Sequence, residues 1–187
     1  MDIFLYIVLA IVAIVVLWLI FIFNRLVVLR MRAREALSDI DVQLKRRFDL
    51  IPNLVETVRG YMNHEKEVLE KVTEARSKVA QGGDALEREG AENALSSTLK
   101  TLFAVAENYP DLKANANFLE LQRELADTEN KIQASRRFYN TTSMELNTKI
   151  ETFPVNLVAG GLGFKKFDFF KAEAEEKENV KVSFDKN

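Results

Sequence analysis

The run IFLYIVLAIVAIVVLWLIFIF, Ile3 to Phe23, constrains this chain before anything else does. Its 21 residues include no charge, no glycine and no proline. As a helix rising about 1.5 Å per residue it extends roughly 30 Å, the thickness of a bilayer's hydrocarbon core. A signal peptide is the rival reading. That would bring a basic n-region, an apolar stretch of about 7–15 residues and a small-residue cleavage site. Here Asp2 is the only charged side chain ahead of the run, the run is longer, and Asn24-Arg25-Leu26 is no cleavage site. The sequence therefore predicts an uncleaved transmembrane anchor over residues 1–24. Arg25, Arg30, Arg32 and Arg34 follow it and no basic side chain precedes it. The positive-inside rule then puts a two-residue N-terminal tip outside and the rest of the chain in the cytoplasm. The same four arginines read as a membrane-interface set attracted to anionic headgroups. Trp18 lies about one turn inside the cytoplasmic end, deeper than an ideal interfacial belt.

Beyond the anchor, composition narrows the choices. The 187 residues hold seven glycines and three prolines, so long helices are expected. There is no cysteine and only one histidine, His64. Disulfides, thiolate metal sites, a cysteine nucleophile and a histidine cluster are excluded. A net charge of −2 gives no footing for nucleic-acid binding.

Ala33, Ala36, Leu37, Ile40, Leu44 and Phe48 recur at helical spacing with no breaker after Phe23, predicting a juxtamembrane helical rod over 25–51. A second segment is expected from about Pro52 to Gln81, its stripe being Ile51, Val55, Val58, Met62, Leu69, Val72 and Val79. Gly82-Gly83 ends it, and Asp84 with Glu87 resembles a capping box for a third helix running to about Asn108. Its face is Ala91, Leu95, Leu99, Leu102 and Ala106. Pro110 after Tyr109 opens the next segment. In the fourth helix Phe118, Leu125, Ile132, Tyr139, Leu146 and Phe153 fall seven apart, a coiled-coil-like repeat. Its companions Leu121, Thr128, Ser135 and Thr142 are mostly small and polar. Pro154 closes it at about Thr152 or Phe153. The predicted fold class is all-α: a transmembrane helix continuing into a long antiparallel helical bundle, the bundle proper occupying 52–153.

Pro52 sits inside KRRFDLIPNLVETV, residues 45–58. A proline in a straight helix removes one hydrogen bond and clashes with the carbonyl four residues back, costing about 3 kcal/mol or more. Apolar residues keep helical phase across it, which favours a kink over a chain break. Asp49 is placed to cap the break. Asp49 and Pro52 together are the candidate hinge.

After Pro154 the character changes. Residues 153–170 carry Phe153, Phe164, Phe167, Phe169 and Phe170 with three glycines. These phenylalanines read as a cap on the bundle's open end, as a partner-binding hook, or as an interfacial membrane contact. The remainder of the 154–187 segment is a charged linker, then Val180–Phe184, which alternates like a short strand.

No catalytic pattern emerges. His64-Glu65 lacks the second histidine of a zincin, there is no phosphate-binding loop, and Gly160-Gly161-Leu162-Gly163 is too short for a dinucleotide fingerprint. Glu65, Glu67, Glu70 and Glu74 interleave with Lys66, Lys71 and Arg76 as an ordinary charged helix face. No enzyme activity, metal or cofactor is expected.

The assembled strings resemble the LemA family: NRLV (24–27), IDVQLKRRFDLIPNLVETVRGYMNHE (40–65), VTEAR (72–76), FAVAENYPDLKANANFLELQRELADTENKIQASRRFYN (103–140), LNTKIETFPVNLVA (146–159) and GF (163–164). The resemblance implies a single-pass protein of the bacterial inner (plasma) membrane with a cytoplasmic helical bundle and no established enzymatic activity. A related member is associated with building magnetosome membranes. Thr141-Thr142-Ser143-Met144-Glu145 departs from the more acidic and aromatic run of many members, a change expected to alter only a surface.

The expected function is a membrane-anchored, non-enzymatic scaffold or adaptor at the cytoplasmic face. Its partners would be the bilayer, further copies of itself, and an unidentified membrane or cytoplasmic protein. The alternative is a regulatory transducer working through the Pro52 bend. Asn53, Asn108, Asn115, Asn117 and Asn140 near turns or seams would specify packing or a partner, since buried amides must be hydrogen-bonded. Tyr109, Pro110, Asn140 and the five tail phenylalanines are the partner or packing candidates.

Overall fold

A computed structural model describes residues 3–62, 64–82 and 85–170, with backbone only at 85 and 86. The fold is all-α. The described residues form α1 (Ile3–Arg59), α2 (Lys66–Gln81), α3 (Ala85–Ala106), α4 (Pro110–Lys113), α5 (Ala116–Glu151) and a 3-10 turn, Val155–Leu157, with no strand among them. Asp84, the charged linker and Val180–Phe184 lie outside the described residues, and with them the expected capping box and short strand.

The chain divides into two compact units. An anchor-bearing unit holds the residues up to Asp41 together with Ile132–Phe170. A bundle unit holds Val42–Lys131.

In the bundle unit the end of α1, α2, α3, α4 and the start of α5 surround one apolar core. Ile51, Leu54, Val58, Met62, Val72, Leu95, Leu102, Leu112, Phe118 and Leu125 are its buried members. Most recur three and four apart, so each helix turns one stripe inward. Phe103 meets Phe118 edge-on, with ring centroids 6.1 Å apart.

Several boundaries differ from the sequence reading. α1 runs through Pro52 to Arg59 without a chain break, as the phase continuity favoured, so the second segment does not start at the proline. The helix ends there, Tyr61 and Met62 both donating to the Val58 carbonyl, and α2 begins at Lys66. The stripe from Ile51 to Val72 keeps phase across this turn because both helices fill the same core, which hides the break from periodicity. α3 stops at Ala106. α4 is a single turn with Pro110 at its start, and α5 follows after Asn115 accepts the Phe118 amide at 3.0 Å as its N-cap.

In the anchor-bearing unit the apolar span stands exposed. From Ile3 to Phe21 every side chain is open except Trp18 and Leu19, which are partly covered. This is the one described helix long and apolar enough to cross a membrane. Past it Leu26, Leu29, Ala33, Ala36 and Ile40 are buried at alternating steps of three and four. The α5 residues Ile132, Tyr139 and Leu146 are buried in the same unit. The seven-residue repeat is thus consumed within the chain. Phe153 falls outside it: α5 ends at Glu151, and Phe153 is 74 % exposed. The Thr141–Glu145 departure is not purely a surface change either, since Thr142 and Ser143 are buried. They flank the buried stripe one turn on from Tyr139.

Candidate functional site

Two polar constructions stand out, one in each unit. In the bundle unit Arg47 of α1 is only 2 % exposed. Its guanidinium donates to the Glu92 carboxylate and to Ser96 Oγ (2.7 Å), both on α3, and to Glu129 Oε2 of α5 (2.8 Å). Ser96 Oγ then donates to Glu129 Oε2 at 3.0 Å. One cation therefore binds three helices together. A guanidinium suits this place because it stays charged and presents several donors in a plane. Beside the cluster is an open pocket of about 270 Å³, with Leu99, Phe103 and Leu125 on its apolar side and Arg47, Ser96 and Glu129 on its polar side.

A more exposed shell of charge lies next to it. Arg46 pairs with Glu124 and, at 3.2 Å, with Asp127, which also receives Lys131 at 2.8 Å. The hydrogen bond to Glu124 raises the Arg46 pKa above its ordinary value. The hydrogen bond from Lys131, helped by Arg46, holds the Asp127 carboxyl below the usual carboxylate range.

Pro52 has a defined solution within this unit. The proline takes the helical donor away from the Phe48 carbonyl. Arg76 of α2 replaces it, Nε donating to that carbonyl at 3.2 Å, while its guanidinium lies 3.9 Å from the centre of the Phe48 ring. Pro52 itself is exposed. Asp49 does not cap the break; its carboxylate binds Lys45 at 2.5 Å one turn earlier. Arg76 is accordingly more than part of a solvated face.

The second construction belongs to the anchor-bearing unit. Asn147 Nδ2 donates to the Phe167 carbonyl (2.8 Å), and its Oδ1 accepts the Phe167 amide (2.9 Å). Asn140 makes the same pair of bonds with Phe170, both at 2.9 Å. Each side-chain amide acts as a stand-in for a backbone peptide. The asparagines are seven residues apart on α5, about 10.5 Å along the helix. Their targets are three residues apart, which at most spans roughly 10–11 Å. The segment is thus drawn out almost fully and runs opposite to α5. Tyr139 adds a bond from its hydroxyl to the Asp168 carbonyl at 2.9 Å and stacks near Phe167, with Phe170 edge-on at 5.2 Å.

The other predicted residues are distributed as follows. Arg25 pairs with Glu145 at 2.6 Å, and Arg30 lies 4.9 Å from the Phe164 ring centre. Arg32 and Arg34 are exposed. Tyr109 donates to Glu65 Oε1 at 3.2 Å, and burial, then that bond, raises its pKa. Pro110 is exposed at the start of α4. Phe164 is buried, Phe167 and Phe170 are half-buried against Tyr139, and Phe169 is exposed. Asn53, Asn108 and Asn117 are exposed, whereas Asn115 donates to the Tyr61 hydroxyl at 2.9 Å.

Arg47, Glu92, Glu129, Arg76 and Asn147 escaped sequence reasoning. A signal existed for two of them. Arg47 is seven residues after Ile40 and four before Ile51, on the buried stripe, whereas the sequence reading followed the half-buried Leu44 and Phe48. Asn147 repeats Asn140 one heptad on.

A sequence model of the LemA family matches residues 36–184, covering both constructions. The chain belongs to the LemA family. Protein LemA of Metamycoplasma hominis is 32 % identical over 151 residues, which are 80 % of this chain and 69 % of that protein. Magnetosome protein MamQ 2 of Paramagnetospirillum magneticum is 24 % identical over 175 residues, 80 % of this chain and 64 % of that protein. Magnetosome protein MamQ of Magnetospirillum gryphiswaldense is 23 % identical over 174 residues. This LemA-family chain thus spans a little under two thirds of the length of the MamQ relatives. Membership and the exposed apolar helix are together consistent with a membrane-associated protein.

Proposed function

We propose that this LemA-family protein is a membrane-anchored, self-associating helical adaptor at the cytoplasmic face of the bacterial inner membrane. One observation carries the reading. The apolar part of α1 is exposed, while the later part of the same helix is built into the bundle core through Ile51, Leu54 and Val58. The helix that would enter the lipid is therefore also a structural member of the soluble part. Arg25, Arg30, Arg32 and Arg34 after the span support a cytoplasmic bundle. Magnetosome proteins among the relatives fit a role beside membranes.

The charged groups described above are committed to one another across helices, an arrangement that holds packing and presents surfaces. This favours recognition over turnover. The transducer alternative draws less support, because Arg76 braces the Phe48 carbonyl at the candidate hinge.

Gentle detergent extraction followed by mass measurement tests the proposal. More than one copy per particle, reproduced by crosslinking in cells, is the expected result. A strict monomer without any crosslinked partner overturns it. Reporter fusions after Asn187 should read as cytoplasmic, and a periplasmic reading overturns the orientation.

A further inference from the structure

The loop after α5 packs against the apolar span. Val155, Ala159 and Phe164 form a buried cluster with Leu26, Leu29 and Leu146, and Trp18 and Ile22 pack onto it. Trp18 and Leu26 are eight residues apart, about 12 Å along α1. A contact from Trp18 to this cluster is therefore made by residues outside α1. Phe164 also meets Phe23 edge-on at 5.6 Å. Trp18 precedes the end of the apolar run by five residues, about 7.5 Å of helix. That is deeper than an ideal aromatic belt but within the roughly 5–10 Å to which the apolar face of an interfacial element is buried.

The loop is made for such a place. From Thr152 to Phe164 it has no charged side chain, and Lys165-Lys166 follow at once. Phe153, Leu157 and Leu162 point their apolar surface outward, at 74 %, 72 % and 37 % exposure. Its backbone donors are largely spent inside the loop. Asn156 donates to Thr152, Leu157 to Pro154, Val158 and Ala159 to Val155, Leu162 to Val158, and Phe164 to Ala159. Irregular backbone tolerates poor hydration only when its polar groups are satisfied internally.

We infer that residues 153–163 form a second membrane contact, with Phe153, Leu157 and Leu162 seated among headgroups and upper acyl chains of the leaflet into which Lys165 and Lys166 lead. The inference rests on the reading of Ile3–Phe23 as a span. It gives the protein two attachments, one crossing and one lying in the interface, and so limits rotation of the anchor-bearing unit about α1.

The chain has no native cysteine, so single-cysteine labelling is direct. Leu157→Cys, Met144→Cys and Ile14→Cys full-length proteins are labelled with an environment-sensitive fluorophore. They are then placed in phosphatidylcholine–phosphatidylglycerol vesicles. The label at 157 should be blue-shifted against that at 144, quenched by lipids carrying nitroxide near the headgroup, and several-fold less accessible to iodide. The label at 14 should be quenched by deep nitroxides. Should 157 behave like 144 while 14 reads as deep, the loop contact is wrong and the anchor stands. Should 14 itself read as aqueous, the span is wrong and the loop contact falls with it. Shielding of 157 from both lipid nitroxide and iodide means protein covers the loop, and also overturns the inference. Asn156→Cys, at another exposed position, repeats the test if Leu157→Cys misfolds, which circular dichroism detects.

Discussion

The two units solve the same problem, holding chain against helix, by different means. The bundle unit packs apolar stripes from several helices and then ties a buried arginine of α1 to two others. The anchor-bearing unit has fewer helices. It holds an extended segment on α5 with two asparagines that imitate backbone pairing. Charge at Arg47 is strong but unforgiving, because its removal strands the buried Glu92 carboxylate. The asparagine clamps are neutral and separable, so they fail locally. A charge network therefore suits a core that must not open, and amide clamps suit a segment that can be released alone.

Arg47→Ala should have the largest effect. Breaking a buried ion pair by removing one partner costs about 3–5 kcal/mol. Denaturant unfolding of full-length protein in detergent measures it. Adding Glu92→Gln should restore part of the loss; an Arg47→Ala protein as stable as the parent would show that the cluster contributes nothing.

Asn147→Ala should cost less, about 1–3 kcal/mol, since it strips two bonds from a half-buried pair. The effect should be confined. Amide exchange should rise at Phe167 and Phe170 while the bundle unit keeps its protection. Asn147→Asp sharpens the point, because a carboxylate can accept the Phe167 amide but cannot donate to its carbonyl. Release of both units together would show that the two kinds of contact do not fail separately.

Arg76→Met should cost about 1 kcal/mol through the lost bond to the Phe48 carbonyl. A double-mutant cycle tests the cause. With Pro52→Ala in place the helix supplies its own donor, so the penalty of Arg76→Met should shrink. An unchanged penalty would assign Arg76 to the Phe48 ring alone.

The smallest effect concerns acid. The Asp127, Glu67 and Glu74 carboxyls are held below their ordinary values, chiefly by hydrogen bonds from Lys131, Lys71 and Lys78. A carboxyl with a depressed folded-state pKa stabilises above its unfolded value and loses that contribution as pH falls through the folded value. Stability should therefore decline slightly below the usual carboxylate range, and less so in Asp127→Asn. All three are on the surface, so added salt should flatten the slope.

Much of the fold was legible in residue order, because helical periodicity and breakers are local. The run from Ile3 to Phe23, the stripe from Leu95 to Ala106 and the repeat from Phe118 to Leu146 each declare a helix and its inner face. The break at Gly60 was less visible, since the apolar phase continues across it. The polar sites were hardest to see. Arg47 in a stripe of aliphatics reads as an exposed charge until Glu92 and Glu129, distant in sequence, are brought to it.

By itself the sequence determined that this is an all-α chain with one apolar span, basic residues beyond it and a LemA-family bundle. The first two depend on composition and spacing, which act over a turn or two of helix, and the family on whole strings of residues. Only the tertiary structure decided where the polar groups would find partners. The Phe48 carbonyl bared by Pro52 is met by Arg76, Arg47 by two other helices, and the amides of Phe167 and Phe170 by asparagines a heptad apart. Such pairings depend on which surfaces meet, and a buried polar group is tolerated only when they do.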